Sequence, residues 1–318
     1  MPATLRLAWR AREMRLVKHL CLVVMNVELR HLRALVAIGE ERTITDAAIA
    51  LHLSQPALSR TLEQLESRLG VRLVERTTRR LALTEAGQRL SEHAHRILSQ
   101  LDDALAEAAT QAGPRPLCLA FAWAALGRHT VPLLRMWRER HPGTPVQVRR
   151  LDDPEAALRR GTADLAFLRT RPADDSGLAH TALAHERRLA AVPDGHPLAE
   201  RDTVNLADLT REVVALCSTA ATTGSDLWPE GRSPRTIQVP GVDEWLTVIA
   251  TGEAVGVTAE GTSHHHPHPG VRYLPLADAD PVTVYLAWPT IPAHTATESF
   301  LHLAQQHLRS TSAGSVAE

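Results

Sequence analysis

Two short apolar-periodic segments, split by a turn at residues 52–54 and followed without a gap by an alternating basic stretch, limit what residues 44–87 can fold into more than any other part of the chain. Ser54 is an N-cap residue type, and Pro56 falls in the first turn after it, where a missing N–H is tolerated. A helix is therefore expected to begin near Gln55. Leu58, Leu62 and Leu65 recur on one face of it, where Ala47, Ala48, Leu51 and Leu53 of the preceding segment can pack. The pattern is that of a helix-turn-helix.

The opposite face of the second helix carries Gln55, Ser59, Arg60 and Gln64, with Pro56 in its first turn. These short or forked hydrogen-bonding side chains suit base edges and phosphates in a major groove. An ordinary solvated helix face would hold the same residue types, and that alternative stands for each residue taken alone. After Gly70, a C-cap candidate, VRLVERTTRRLALT alternates apolar and polar residues as a short hairpin would. Thr77, Thr78, Arg79 and Arg80 form its tip, which is basic and suited to phosphates or a minor groove.

The run LSQPALSRTLEQLESRLGVRLVERTTRRLALTEAG resembles the N-terminal signature of LysR-type transcriptional regulators. Val74 stands where that family usually has an aromatic residue, and Thr43 and Ile44 stand where it often has a Ser-Phe pair; both changes keep an apolar core position. The resemblance implies a homodimer or dimer of dimers that bends double-stranded promoter DNA and is shifted by a small-molecule effector, with RNA polymerase as a further partner and no cofactor.

From Thr84 no proline appears until Pro114, and the segment is rich in Ala, Leu and Glu, so one long helix is expected. Leu90, Ala94, Ile97, Leu101 and Leu105 recur every three or four residues along it, as the seam of a helix pair between two copies or as a face packed on its own domain. Beyond Pro116, apolar strands alternate with amphipathic helices: PLCLAFAWAA and TPVQVRRL read as strands, residues 127–140 as a helix, and LDDPEAALRRGTADLAFLR as a further helix and strand. This pattern resembles the LysR-type effector-binding domain.

The expected architecture is thus α/β with an N-terminal all-α winged helix-turn-helix, a long linker helix and a two-lobed periplasmic-binding-protein-like effector domain. The expected divisions are an N-terminal extension at 1–24, the DNA-binding domain at 25–83, the linker at 84–112 and the effector domain at 116–310. Within the last, lobe I comprises 116–182 and 271–310 and lobe II 183–270; a disordered tail fills 311–318. By the same resemblance a ligand sits between the lobes, near strand ends and helix starts. Its wall would draw on Trp123, Ala124 and Ala125, on Arg169 and Thr170, on Ser218 and Thr219, and on Gly256 and Val257 at the far side. A carboxylate is the candidate effector class, with Arg169 its partner. Ala124 and Ala125 occupy positions where many relatives carry a hydroxyl facing the ligand.

A net charge of −1 conceals the local distribution. Arg60, Arg68, Arg72, Arg76, Arg79 and Arg80 gather at the recognition helix and wing, diluted by Glu63, Glu66 and Glu75, which predicts moderate, salt-sensitive DNA affinity. Cys21, Cys118 and Cys217 form no CxxC pair, unlike a disulfide framework or zinc site, and suit a reducing cytoplasm. A redox role for Cys217 competes with an inert thiol. The arginines before LCLVV suggest a signal peptide, but the apolar run is short and MNVELRHLRALVAI begins the family-like segment, so Met25 is the expected start. No apolar run spans a membrane.

SHHHPHP at residues 263–269 offers imidazoles for a metal, yet its prolines and lack of nearby cysteines suggest a solvated loop, and no metal site is assigned. GxxxxGK, GxGxxG, GxSxG and HExxH do not occur, so an enzyme is not expected. A ligand-binding protein with a vestigial reader is the remaining alternative.

Overall fold

The computed structural model describes residues 27–41, 43–77, 80–109, 115–219, 222–229, 231–292 and 294–314. The N-terminal extension with Cys21 and Met25, the wing residues Thr78 and Arg79, and the end of the linker at 110–112 lie outside the described residues. The chain forms two compact units, residues 1–106 and 107–318.

The first unit opens with α1 (Leu29–Glu40), α2 (Ile44–Ala50) and α3 (Gln55–Leu69). Their limits follow from local chemistry. Thr43 caps α2 by accepting from Asp46 N, and Ser54 caps α3 by accepting from Ala57 N with Pro56 in the first turn. Gly70 ends α3 at φ 69°, a left-handed conformation that glycine adopts without a Cβ penalty. Leu35, Ala47, Leu58, Leu62 and Leu65 close the core between the three helices. Val74, 2% exposed, belongs to this core and Ile44 packs on it, so the two departures from the family pattern keep their apolar role.

The wing is the antiparallel pair β1 (Val74–Thr77) and β2 (Arg80–Leu83), in register from Val74–Leu83 to Thr77–Arg80. A single helix, α4 (Glu85–Ala109), follows. Its first turn lies directly on the wing base: a Cβ at Gly87 would stand 2.0 Å from the Leu73 carbonyl oxygen.

The second unit contains two five-stranded sheets. The first has the order β4-β3-β5-β12-β6, built from β3 (Leu117–Phe121), β4 (Val146–Arg150), β5 (Leu165–Leu168), β6 (Leu178–Glu186) and β12 (Val282–Pro289). β3 runs parallel to β4 and β5, and β12 antiparallel to β5 and β6. Central β3 and β5 are almost wholly buried, which is why LCLAF and LAFL read as unbroken apolar runs. Helices α5 (Thr130–Arg140), α6 (Pro154–Arg160) and α9 (Thr297–Gly314) accompany this sheet; α5 and α9 bury Leu133, Trp137, Phe300 and Leu303 in its core.

The second sheet has the order β11-β7-β10-β8-β9, from β7 (Arg188–Pro193), β8 (Val213–Cys217), β9 (Arg235–Val239), β10 (Val255–Ala259) and β11 (Val271–Pro275). α7 (Val242–Ala250) packs on it through Trp245 and Ile249, and α8 (Glu260–His265) follows β10. The chain crosses between the sheets at Arg187 and again between Pro275 and Val282.

Four sequence expectations change here. Lobe I does not stop at 182, because β6 stays paired with β12 through Glu186. Val271–Pro275 belongs to lobe II, because it pairs with β7 from Pro193 to Leu189. The expected tail at 311–318 begins too early, since α9 continues to Gly314. The histidine run also differs from a loop: His264 and His265 close α8, and His266 is its C-cap.

Candidate nucleic-acid interface and ligand crevice

α3 is divided by its own periodicity. Leu58, Leu62 and Leu65 are at most 1% exposed, while Gln55, Pro56, Arg60 and Gln64 are exposed and Ser59 is half-buried. The helix thus presents a row of hydrogen-bonding groups beginning in its first turn, and its position is fixed at two further points. His31, fully buried on α1, lies 3.5 Å from Gln64 Oε1 and within 3.4 Å of Arg68 Nη1. Glu66 Oε1 accepts from the backbone N–H of Leu73 and Val74, at 2.8 and 3.2 Å. The carboxylate that sequence reasoning counts only as diluting the basic patch therefore ties the recognition helix to the wing. Thr77 and Arg80 end the paired strands on either side of the tip, and Thr78 and Arg79 lie outside the described residues.

The five linker positions do not share one environment. Leu90 packs against the helix-turn-helix core and Ala94 is fully buried, so these two serve their own unit. Ile97 and Leu105, 47% and 57% exposed, remain on the surface with Leu101 half-buried between them.

Between the two lobes lies a cavity of about 180 Å³ whose wall includes Trp123, Arg169, Thr170, Ser218 and Thr219. Four positions expected beside them stand elsewhere. Ala124 and Ala125 are buried with φ of 46° and 36°, shaping the backbone behind Trp123. Gly256 and Val257 lie in buried β10. A Cβ at Gly256 would stand 2.1 Å from the Trp245 ring, so the missing side chain seats that indole, and Val257 belongs to the lobe II core.

Arg169 is already committed. Its Nε and Nη2 donate to the two carboxylate oxygens of Glu186, each at 3.0 Å, and Nη1 donates to the Trp123 carbonyl at 2.6 Å. The pair is 7% and 11% exposed, so its charges are compensated internally. This corrects the expectation that Arg169 awaits a carboxylate effector. Glu186 lies in the run HERRL, where no motif marks it: its partner Arg169 is seventeen residues away and the pair is made only by the fold.

Trp123 crosses from lobe I into lobe II. Its indole N–H donates to Thr262 Oγ1 at 2.6 Å, and Thr262 is bonded to Thr258 at 2.6 Å. Its ring meets Trp245 edge-on at 5.9 Å and His266 at 5.8 Å. Burial is the main cause holding the His265 and His266 imidazoles below their ordinary pKa. Tyr273, which donates to the His266 carbonyl, is pushed up to about 12 by the same cause. Among the described residues, no group of three or more His, Cys, Asp or Glu could hold a metal. Asp153 is the N-cap of α6, accepting from Ala156 N, and Cys118 and Cys217 are free thiols, the first pushed up by burial.

Comparison with known proteins agrees with both halves. The model of the bacterial regulatory helix-turn-helix protein, lysR family, matches residues 29–88, and that of the LysR substrate binding domain matches residues 111–309. The chain is 34% identical to the uncharacterized HTH-type transcriptional regulator YnfL of Escherichia coli, over 83% of this chain and 93% of that protein. It is 29% identical to the HTH-type transcriptional regulator BenM of Acinetobacter baylyi, over 82% and 90%. Among solved structures, a full-length BenM variant superposes with a TM-score of 0.55 at 27% identity, covering 90% of this chain and 98% of that one. CbnR, a LysR family transcriptional regulator, shares the fold with a TM-score of 0.61 at 22% identity, covering 89% and 99%. The chain belongs to the LysR family of bacterial helix-turn-helix transcriptional regulators.

Proposed function

We propose that this chain is a ligand-responsive regulator that reads two-fold-related half-sites in promoter DNA as a homodimer or dimer of dimers. In this reading residues 25–83 form the reader, 84–112 the dimerisation helix and 116–310 the effector domain. The observation that carries it is the division of α3, three buried leucines behind an exposed row of Gln55, Pro56, Arg60 and Gln64. Gln55, Pro56, Ser59 and Arg60 contact base edges, Gln64 extends the same DNA-facing row, and Thr77, Thr78, Arg79 and Arg80 contact backbone or minor groove. Exposed Ile97 and Leu105, with Leu101, are the part of α4 free to meet a second copy; Leu90 and Ala94 support it from within.

An effector in the interlobe crevice shifts the arrangement of bound copies, and RNA polymerase is the partner that a promoter-bound regulator meets. The chain acts by binding, with no catalytic step, and works in the cytoplasm where the chromosome is; among the described residues no helix is long and apolar enough to cross a membrane. The test is a footprint and mobility-shift titration on DNA upstream of the chain's own gene, with Arg60→Ala as control. Protection of a two-fold-related site, lost in the variant, is expected. No protection at any salt concentration refutes the reading and favours a ligand-binding protein with a vestigial reader.

A further inference from the structure

The depth of the crevice is set by a protein side chain. After β3 the backbone passes through Ala124 and Ala125, both in the left-handed region, which alanine occupies only where the surroundings dictate it. This turn drives the Trp123 ring out of its own lobe and into the core of the other, beside Ala191, Ala215 and Trp245. The indole is then held from lobe II by Thr262, and the residue's carbonyl is held from lobe I by Arg169. The remaining cavity of about 180 Å³ is smaller than the roughly 300–1,000 Å³ of ordinary small-molecule sites.

We infer that Trp123 is the specificity-determining residue of the effector crevice, which admits a compact uncharged or cationic polar molecule and rejects aromatic rings and carboxylates. The inference rests on the regulator reading above. Size follows from the indole, which occupies the space a ring would need. Charge follows from the wall: Arg169 is the only cation there among the described residues, and Glu186 already neutralises it, whereas Asp152 and the α6 cap Asp153 line the same cavity, beside a Glu155 that is itself paired with Arg159. An anion entering would meet carboxylates without an uncompensated cation to offset its desolvation. Thr170, Ser218 and Thr219 supply hydroxyls for a polar ligand.

Calorimetric titration of the full-length protein with propionate, propionamide and propylammonium, three probes of one size and different charge, tests the charge claim, and benzamide tests the size claim. The expected result is that propionamide or propylammonium binds at least tenfold tighter than propionate, and that benzamide gives no heat at millimolar concentration. Trp123→Ala should gain benzamide binding by tenfold or more and rise in melting temperature with added indole. Trp123→Leu, which keeps an apolar group in place, carries this arm should the alanine variant lose its circular dichroism. Benzamide binding to the unaltered protein as tightly as propionamide, propionate binding tightest, or silence from all three compact probes overturns the inference, whatever the variants do. The footprint does not use the crevice, so a protein that protects DNA but takes benzamide sinks only the role of Trp123, and one with the expected charge order but no footprint sinks the regulator reading.

Discussion

Replacing Glu186 by alanine would leave the Arg169 guanidinium in a site that is 7% exposed, facing the space vacated by its carboxylate. Two charge-assisted hydrogen bonds of 3.0 Å are lost, and only the 2.6 Å bond to the Trp123 carbonyl remains. Removing one partner of a buried ion pair costs about 3–5 kcal/mol, mostly the penalty of the charge left behind. A Cβ at Gly261 would stand 2.5 Å from Glu186 Oε1, so the carboxylate is packed against that backbone and its removal also leaves a void; the upper half of the range applies. For a unit spanning residues 107–318, each kcal/mol corresponds to about 2–4 °C, giving a fall of roughly 8–20 °C in its melting transition. Scanning calorimetry of the full chain measures this directly. The double variant Arg169→Met with Glu186→Met discriminates between causes: with no charge left buried, most of the loss should be recovered. A single-variant loss under about 1 kcal/mol, or a double variant as costly as the sum of the single Arg169→Met and Glu186→Met variants, would refute the view that burial of the charge dominates.

Glu66→Ala should cost about 1–3 kcal/mol by leaving Leu73 N–H and Val74 N–H without their acceptor, and should weaken binding to matched and scrambled duplexes alike in fluorescence anisotropy. Arg60→Ala and Gln55→Ala should instead relax discrimination, each by about 1–3 kcal/mol at one base position; equal losses on all sequences would contradict base readout. Acidification should destabilise the second unit: His129, His265, His266 and His307 all have lowered pKa values with burial as the first cause. Their unfolded forms take up protons below about 6.5 before the folded forms do, so the stability present above 6.5 falls as pH drops from there through the lowered values, readable as a pH series of denaturant midpoints. Tyr273 has the opposite sign: its neutral form is favoured up to about 12, so stability present below 10.0 is lost as pH rises from there, and Tyr273→Phe should flatten that limb.

The parts of the fold legible in the sequence are those whose signals are local. Ser54, Pro56 and Gly70 delimit α3 through backbone geometry that depends on neighbours one to three residues away, and Asp153 and Gly161 do the same for α6. What was not legible depends on pairing across distance. Val271–Pro275 has strand character in either lobe, and only the free edge of β7 decides where it joins. Trp123 meets Thr262 across 139 residues, a contact that no spacing encodes, and Arg169 meets Glu186 because β5 and β6 flank the same strand, β12. The crevice wall was half legible for this reason: strand ends could be located, but whether a residue there faces the cavity, seats a neighbouring ring as Gly256 does, or is neutralised as Arg169 is, follows from partners in another element.

The absence of a side chain at Gly87 has a mechanical consequence. With the first turn of α4 resting on the Leu73 carbonyl, and Thr84 accepting from Gly87 N while donating to Arg72 O, helix and hairpin meet without a hinge. A torque applied along α4 is therefore delivered to the base of the wing rather than absorbed at a joint. Because Glu66 couples that base to the recognition helix, the long helix acts as a lever arm whose rotation the whole reading head must follow.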